Sequence, residues 1–354
     1  MLKPSDEYRH ERTSEPNWQE NYVWHAWDPD TRSGWYFHLG HIPDHGMVDV
    51  RCCVIINGKV TSIVTQSEGD DCLAAPGLDI TFIKEFERVK MRYDSRGARG
   101  TDEAGWFGNL PGNTPFGFEM ELETKHPVLE WAPHFHVTGW GRVDMSTSIL
   151  PGQTERPEGV DPGNHYECAA AWKGKLWSGD DEVVASGLLI RDHSWGPRGW
   201  NHMIGYWPPM VFNEGKTLIS GAVGLWDDWQ GFSIHVNETG IVDIVDDLWV
   251  RFAGGPEIPR QFRTAEVLRQ GDGICQKFRF DIGKHMPMMR HNSFLTAPEH
   301  RMGFCHVYST ITGGEGFGKG FGTVQLQPTE PQLRKGHENP LPEYADEIGD
   351  LAEA

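Results

Sequence analysis

Residues 187–202 read GLLIRDHSWGPRGWNH and set an aspartate and two histidines among arginines and tryptophans. Acid chemistry asks for such a mixture. A carboxyl among apolar neighbours loses hydration of its charged form, so its pKa rises and it can hold a proton near neutrality and donate it. Asp192 is the candidate acid. On a strand, Ile190, Asp192 and Ser194 share one face, and Arg191, His193 and Trp195 share the other. Upstream, HYECAAAW places His165 and Glu167 two residues apart, hence on one side. Folding 165–191 as a hairpin would bring His165, Glu167 and Asp192 to one pocket, where two carboxyls in different environments divide into general acid and general base. The competing reading is structural: Asp192 pairs with Arg191 or Arg198 to pin a turn, and Glu167 is an exposed hairpin residue.

Protonating an unactivated alkene, or ionising a tertiary alcohol, also needs electron-rich walls. An aromatic face near a developing cation contributes about 2 kcal/mol or more when desolvated. Trp195, Trp140, Trp172 and Trp200 are candidates, with Tyr166 and His193 beside them as substrate-binding positions. His134 and His136 alternate on one face but lack a third ligand, so no metal is expected. No cofactor is expected either. The glycine-rich run 313–322 lacks the P-loop pattern and precedes a strand. Neither a GxSxG elbow nor a GxGxxG turn between strand and helix occurs.

These residues need β-structure to hold them. The 354 residues include 42 glycines and 15 tryptophans, and few long helical runs interrupt strand-like segments that recur from 20 to 327. The stretch 115–124, PFGFEMELET, alternates Phe116, Phe118, Met120 and Leu122 with polar or small residues, a period of two. A hairpin is expected to turn at Asn57-Gly58. Residues 81–95 admit either a helix or strands. So many strands exceed one small barrel, since about eight already enclose a ligand-sized interior. An all-β chain of two tandem antiparallel barrels is therefore expected: 1–180 with a polar N-terminal arm, 181–328, and an acidic, proline-rich tail at 329–354. The hairpin 165–191 fits either half.

A net charge of −19 argues against nucleic acid or an anionic membrane as partner, since both need clustered Lys and Arg. No run approaches 18 apolar residues, so no membrane span is expected. The first 24 residues lack the apolar core of a signal peptide, which points to the cytoplasm. There the six cysteines are read as free thiols, with adjacent Cys52 and Cys53 on opposite faces of a strand. A homo-oligomer is compatible with the composition.

The pattern HYE, then 23 residues, then RDHSWG resembles the proteins with two lipocalin-like barrels. These include the carotenoid 1,2-hydratases, the kievitone hydratases, the AttH-like proteins and the fungal decalin-forming cyclases. The opening NWQENYVWHAWDPDTRSGWYFHLGHIP is similar to that of bacterial members, and the resemblance covers residues 15–328. It implies two lipocalin-like barrels and a hydrophobic small-molecule substrate. It implies Asp192 as the acid and His165 as the upstream histidine, with Glu167 assisting. Two positions depart. Ile190 stands where the carotenoid hydratases have a tyrosine, and Glu167 where they have a tryptophan, so the walls that would stabilise a carotenoid cation are missing. The implied function is a cofactor-independent hydratase or dehydratase of an isoprenoid, steroid-like or aromatic lipophile. An isomerase or cyclase, and a non-catalytic lipophile carrier, are the alternatives.

Overall fold

The computed structural model describes residues 2–14, 18–43, 46–100, 112–131, 134, 164–197, 205–225, 229–245, 247–253, 264–271, 273–282, 305–313 and 317–326. Ten strands form the first sheet: β1 (Trp18–Asp28), β2 (Ser33–Ile42), β3 (Met47–Ile56), β4 (Lys59–Glu68), β5 (Leu78–Lys84), β6 (Arg88–Gly100), β7 (Thr114–Thr124), β8 (Leu129–Glu130), β9 (Asn164–Ser178) and β10 (Asp181–Pro197). Pairing runs β10-β1-β2-β3-β4-β6-β7-β9 and closes through β9–β10, which makes an eight-stranded antiparallel barrel with β5 and β8 attached outside the ring.

The second sheet holds β11 (Gly205–Trp207), β12 (Met210–Phe212), β13 (Thr217–Leu225), β14 (Trp229–Asn237), β15 (Gly240–Val245), β16 (Asp247–Ala253), β17 (Thr264–Gly271), β18 (Ile274–Ile282), β19 (Cys305–Gly313) and β20 (Lys319–Leu326). Its order is β15-β14-β13-β11-β20-β19-β18-β17-β16, with β12 bridging β13 and β20, and β16 packs across onto β14. The protein is thus all-β, with two lipocalin-like antiparallel sheets in tandem.

β10 (Asp181–Pro197) is the last strand of the first sheet and β11 (Gly205–Trp207) the first of the second. β10 stays in the first sheet because Gly179, at φ 60°, turns it back along β9, and its other edge then pairs with β1 from Trp27↔Leu188 to Trp18↔Pro197. Residues 81–95 are the hairpin β5–β6, turning at Phe86 with φ 62°, rather than a helix. Asn57 (φ 50°) and Gly58 (φ 76°) form the expected two-residue turn, whose positive φ values suit the twist of the flanking strands.

Two apolar clusters explain why β1 and β3 are buried almost throughout. Inside the first barrel lie Trp24, Trp35, Phe37, Val50, Cys52, Tyr93, Phe116, Phe118 and Trp172. On the outer face, Val23, Trp27, Tyr36, Cys53, Trp131 and Ile190 pack against Met210, Phe212, Ile219, Phe232 and Phe278 of the second sheet. Cys52 and Cys53 do point to opposite sides, and both sides are dry. Gly215, at φ 85°, sits where an added Cβ would lie 2.7 Å from the Ala171 nitrogen, so the sheets approach closely there.

Candidate active site

β9 and β10 outrun their neighbour β7. The β7–β9 ladder stops at Thr124↔Ala170, and β8 takes over opposite Glu167 and Tyr166. On this overhang Asp192 lies directly across from Glu167, and Ser194 across from His165. Directly opposed residues of an antiparallel pair project to one face. His165, Glu167 and Asp192 therefore converge on the outer face, at the junction with the second sheet.

His165 Nε2 contacts Asp192 Oδ2 and lies 3.4 Å from Glu167 Oε1. The ring is held from two directions: it stacks on Trp131 with an interplanar angle of 3°, and its backbone carbonyl accepts from the Trp131 N–H at 2.9 Å. Trp131 in turn meets Phe232 of β14 edge-on at 5.2 Å. Ser220 of β13 donates to Glu167 Oε2, and the Trp207 indole N–H of β11 donates to Ser220 Oγ at 3.2 Å. The first sheet supplies the acid/base groups, and the second sheet supplies the donors behind them.

Burial separates the two carboxyls. Glu167 is 0% exposed and Asp192 8%. Burial pushes Glu167 up to about 8, with the Asp192 charge adding to the rise and His165 and Ser220 opposing it. The carboxyl that holds a proton near neutrality is thus Glu167, at the floor of the cluster. Asp192 stands in front of it, paired with His165. Residue parity fixes which face each carboxyl occupies but not how deep, and Glu167 is the deeper of the two. The structural alternative for Asp192 also changes: Arg191 projects to the opposite face, and Arg198 lies outside the described residues.

The other sequence candidates fall elsewhere. Tyr166, His193 and Trp195 are on the opposite face of the same hairpin and form a second cluster at the barrel interior. There Arg191 binds Glu7 bidentately and donates to the Tyr166 hydroxyl at 2.8 Å, while His193 and Trp195 meet the N-terminal arm. Trp172 is an interior core residue whose indole N–H donates to the Leu188 carbonyl at 3.1 Å. Trp140, Trp200 and His136 lie outside the described residues. None of the described aromatic candidates lines the Asp192 cluster. The aromatic surround there is Trp131, Trp207, Phe232 and Tyr36, brought in by long-range packing that no local pattern announces.

Among the described residues, two groups of donors lie close enough to hold a cation: His165, Glu167 and Asp192, and His10, Glu20 and His193. In each, the ligating atoms are within 4.8 Å of one another.

A family model described as a domain of unknown function, DUF7064, matches residues 3–319. The chain belongs to the DUF7064 family. No curated protein matches it. Solved structures do. This DUF7064 chain superposes on an AttH-type protein (NE1406) from Nitrosomonas europaea with a TM-score of 0.58 at 12% identity, covering 92% of this chain and 96% of that one. Kievitone hydratase from Nectria haematococca gives 0.51 at 10%, over 88% and 90% of the chains. CghA with Sch210972 gives 0.51 at 9%, over 89% of each. The resemblance read from the HYE and RDHSWG segments therefore holds at the level of fold for the whole DUF7064 chain. Among its described residues no helix is long and apolar enough to cross a membrane.

Proposed function

We propose that the cluster at the sheet junction is the acid/base site of a cofactor-independent hydratase or dehydratase acting on an isoprenoid, steroid-like or aromatic lipophile. The observation that carries the reading is the depth order of three groups. Glu167 is wholly buried and kept neutral, His165 bridges from it to Asp192, and Asp192 and His165 retain partial exposure beside apolar and aromatic side chains of both sheets. Asp192 and His165 reach the substrate; Glu167 is a positioning residue and proton reservoir. In the dehydration direction the His165 imidazolium paired with Asp192 gives its proton to the substrate hydroxyl, the C–O bond breaks to release water, and the imidazole–carboxylate pair left behind takes a proton from the adjacent carbon, which leaves the alkene and restores the pair. Hydration is the reverse. Trp131 and Phe232 offer ring surface near the developing cation. The fold supports the reading only in company: one solved structure of this architecture is a hydratase by name.

The test incubates the purified full chain with a panel of hydrophobic alkenes and the corresponding tertiary alcohols, read by mass spectrometry for gain or loss of one water. Asp192→Asn is expected to abolish turnover while circular dichroism and melting temperature stay near wild type. Undiminished turnover in that variant would remove Asp192 from the mechanism. An isomerase or cyclase would change retention but not mass, and a carrier would return its ligand unaltered.

A further inference from the structure

The second polar cluster is not used by this chemistry. The arm folds back as a 3₁₀ turn, Pro4–Glu7, fixed by the Lys3 backbone N–H donating to Asp6 Oδ2 at 2.7 Å, and it delivers His10 to the open end of the first barrel. There His10 Nδ1 lies 2.8 Å from Glu20 Oε1 on β1, and His193 Nε2 of β10 lies 3.2 Å from the same oxygen. Both imidazoles are clamped in plane: His10 stacks on Trp195 with centroids 3.8 Å apart at 9°, and His193 on Tyr22 at 3.8 Å and 16°.

We propose that His10, Glu20 and His193 form a divalent-metal site that fastens the N-terminal arm to the first barrel, with zinc as the ion that best fits the donors. Two imidazole nitrogens and one carboxylate oxygen suit zinc and its first-row neighbours, whereas calcium and magnesium favour all-oxygen sets. Three features point to a ligand rather than a self-sufficient hydrogen-bond cluster. Glu20 is 0% exposed, yet its Oε2 has no hydrogen-bond partner, which is costly for a buried polar atom. Its Oε1 meanwhile takes both imidazoles, the His10 backbone N–H at 3.0 Å and the Tyr22 hydroxyl at 3.5 Å, and a cation would draw on both oxygens. Behind His10, the Asp6 carboxylate lies 3.6 Å from Nε2, beyond hydrogen-bond distance but on the side where metal-bound histidines commonly donate to a carboxylate. The sites are separable, since His193 and Asp192 project to opposite faces of β10.

The experiment strips the full chain with a chelator, dialyses it against zinc chloride, removes unbound ion by gel filtration and counts zinc by elemental analysis. Stoichiometric zinc is expected in the wild type and in His165→Ala. It is expected to be lost in His10→Ala and Glu20→Gln. His10 is on the arm, outside both sheets, so its variant tests the site even if Glu20→Gln does not fold. A second readout uses trypsin, which cuts after Arg9 and Arg12. Zinc is expected to slow loss of the arm at least tenfold in the wild type and not in His10→Ala. Sub-stoichiometric zinc in the wild type, zinc retained by His10→Ala, or loss only in His165→Ala would each overturn the proposal, as would an arm whose cleavage rate ignores zinc.

Discussion

At the scale of single residues, Glu167 makes the sharpest statement. Burial holds its carboxyl at about 8 against an ordinary 4.5. In the unfolded chain the same group has released its proton well below neutrality. Between those two values the native state therefore binds more protons than the unfolded state, and stability falls as pH rises from about 4.5 to about 8. Glu167→Gln removes that slope. The variant should gain on the wild type by a few kcal/mol across the interval, an order-of-magnitude conversion of the shift, read as melting temperature against pH. A gap that stays constant with pH would mean that Glu167 is ionised in the fold. Ser220→Ala tests the same carboxyl from the second sheet: without the hydroxyl that lowers it, Glu167 should titrate higher still, and any alkaline limb in turnover should move upward. The grouping of His165, Glu167 and Asp192 was legible in the sequence, because parity along two strands and one hairpin turn suffices to predict it. Ser220, Trp207 and Trp131 were not, since each arrives through contacts distant in sequence.

At the scale of elements, legibility followed how many sides of a strand are wet. β7 buries Phe116, Phe118, Met120 and Leu122 and exposes Glu121 and Glu123, so its period of two is plain. β1 and β3 are buried on both faces, and no wet face is left to mark an alternation: polar residues such as Gln19, His25, Asp49 and Arg51 are buried with the apolar ones. β10 resolves the puzzle of charge among aromatics: from Leu189 to Gly196 it too is enclosed on both sides, and each face carries its own paired polar cluster. Such a strand tolerates little widening. Gly187 lies where a Cβ would fall 2.1 Å from the Trp27 carbonyl oxygen, so Gly187→Ala must push β10 away from β1 or bend it. We expect a loss of about 1–3 kcal/mol, as for other overpacked sites, seen in urea unfolding. Because the hairpin carries Asp192, turnover should fall further than the lost stability alone explains.

At the scale of the molecule, the N-terminal arm is part of the barrel rather than an appendage, and electrostatics decides this. Arg191 is 2% exposed and Glu7 0%, and they are 184 residues apart in sequence. The guanidinium is held by both Glu7 oxygens and the Tyr166 hydroxyl, with the rings of Trp24, Phe82 and Tyr166 within 6.0 Å of its carbon. A buried pair contributes little compared with a well-packed apolar replacement, but removing one partner leaves an uncompensated charge and costs about 3–5 kcal/mol. Glu7→Ala and Arg191→Met should therefore each destabilise the protein by that much. The double variant should cost about 2–3 kcal/mol less than the sum of the two single variants, and that difference is the coupling energy read in a denaturant cycle at neutral pH. The competing outcome is that the arm lifts off in Glu7→Ala and water reaches Arg191. The single variant would then cost only about 1 kcal/mol, the double would show no recovery, and trypsin would remove the arm at once. Arg191 sits between β1 and β9 within the closed ring, beneath aromatic rings that do not depend on the arm. Those rings belong to β1, β5 and β9, so they remain around Arg191 when the arm leaves, and the larger penalty is the one to expect.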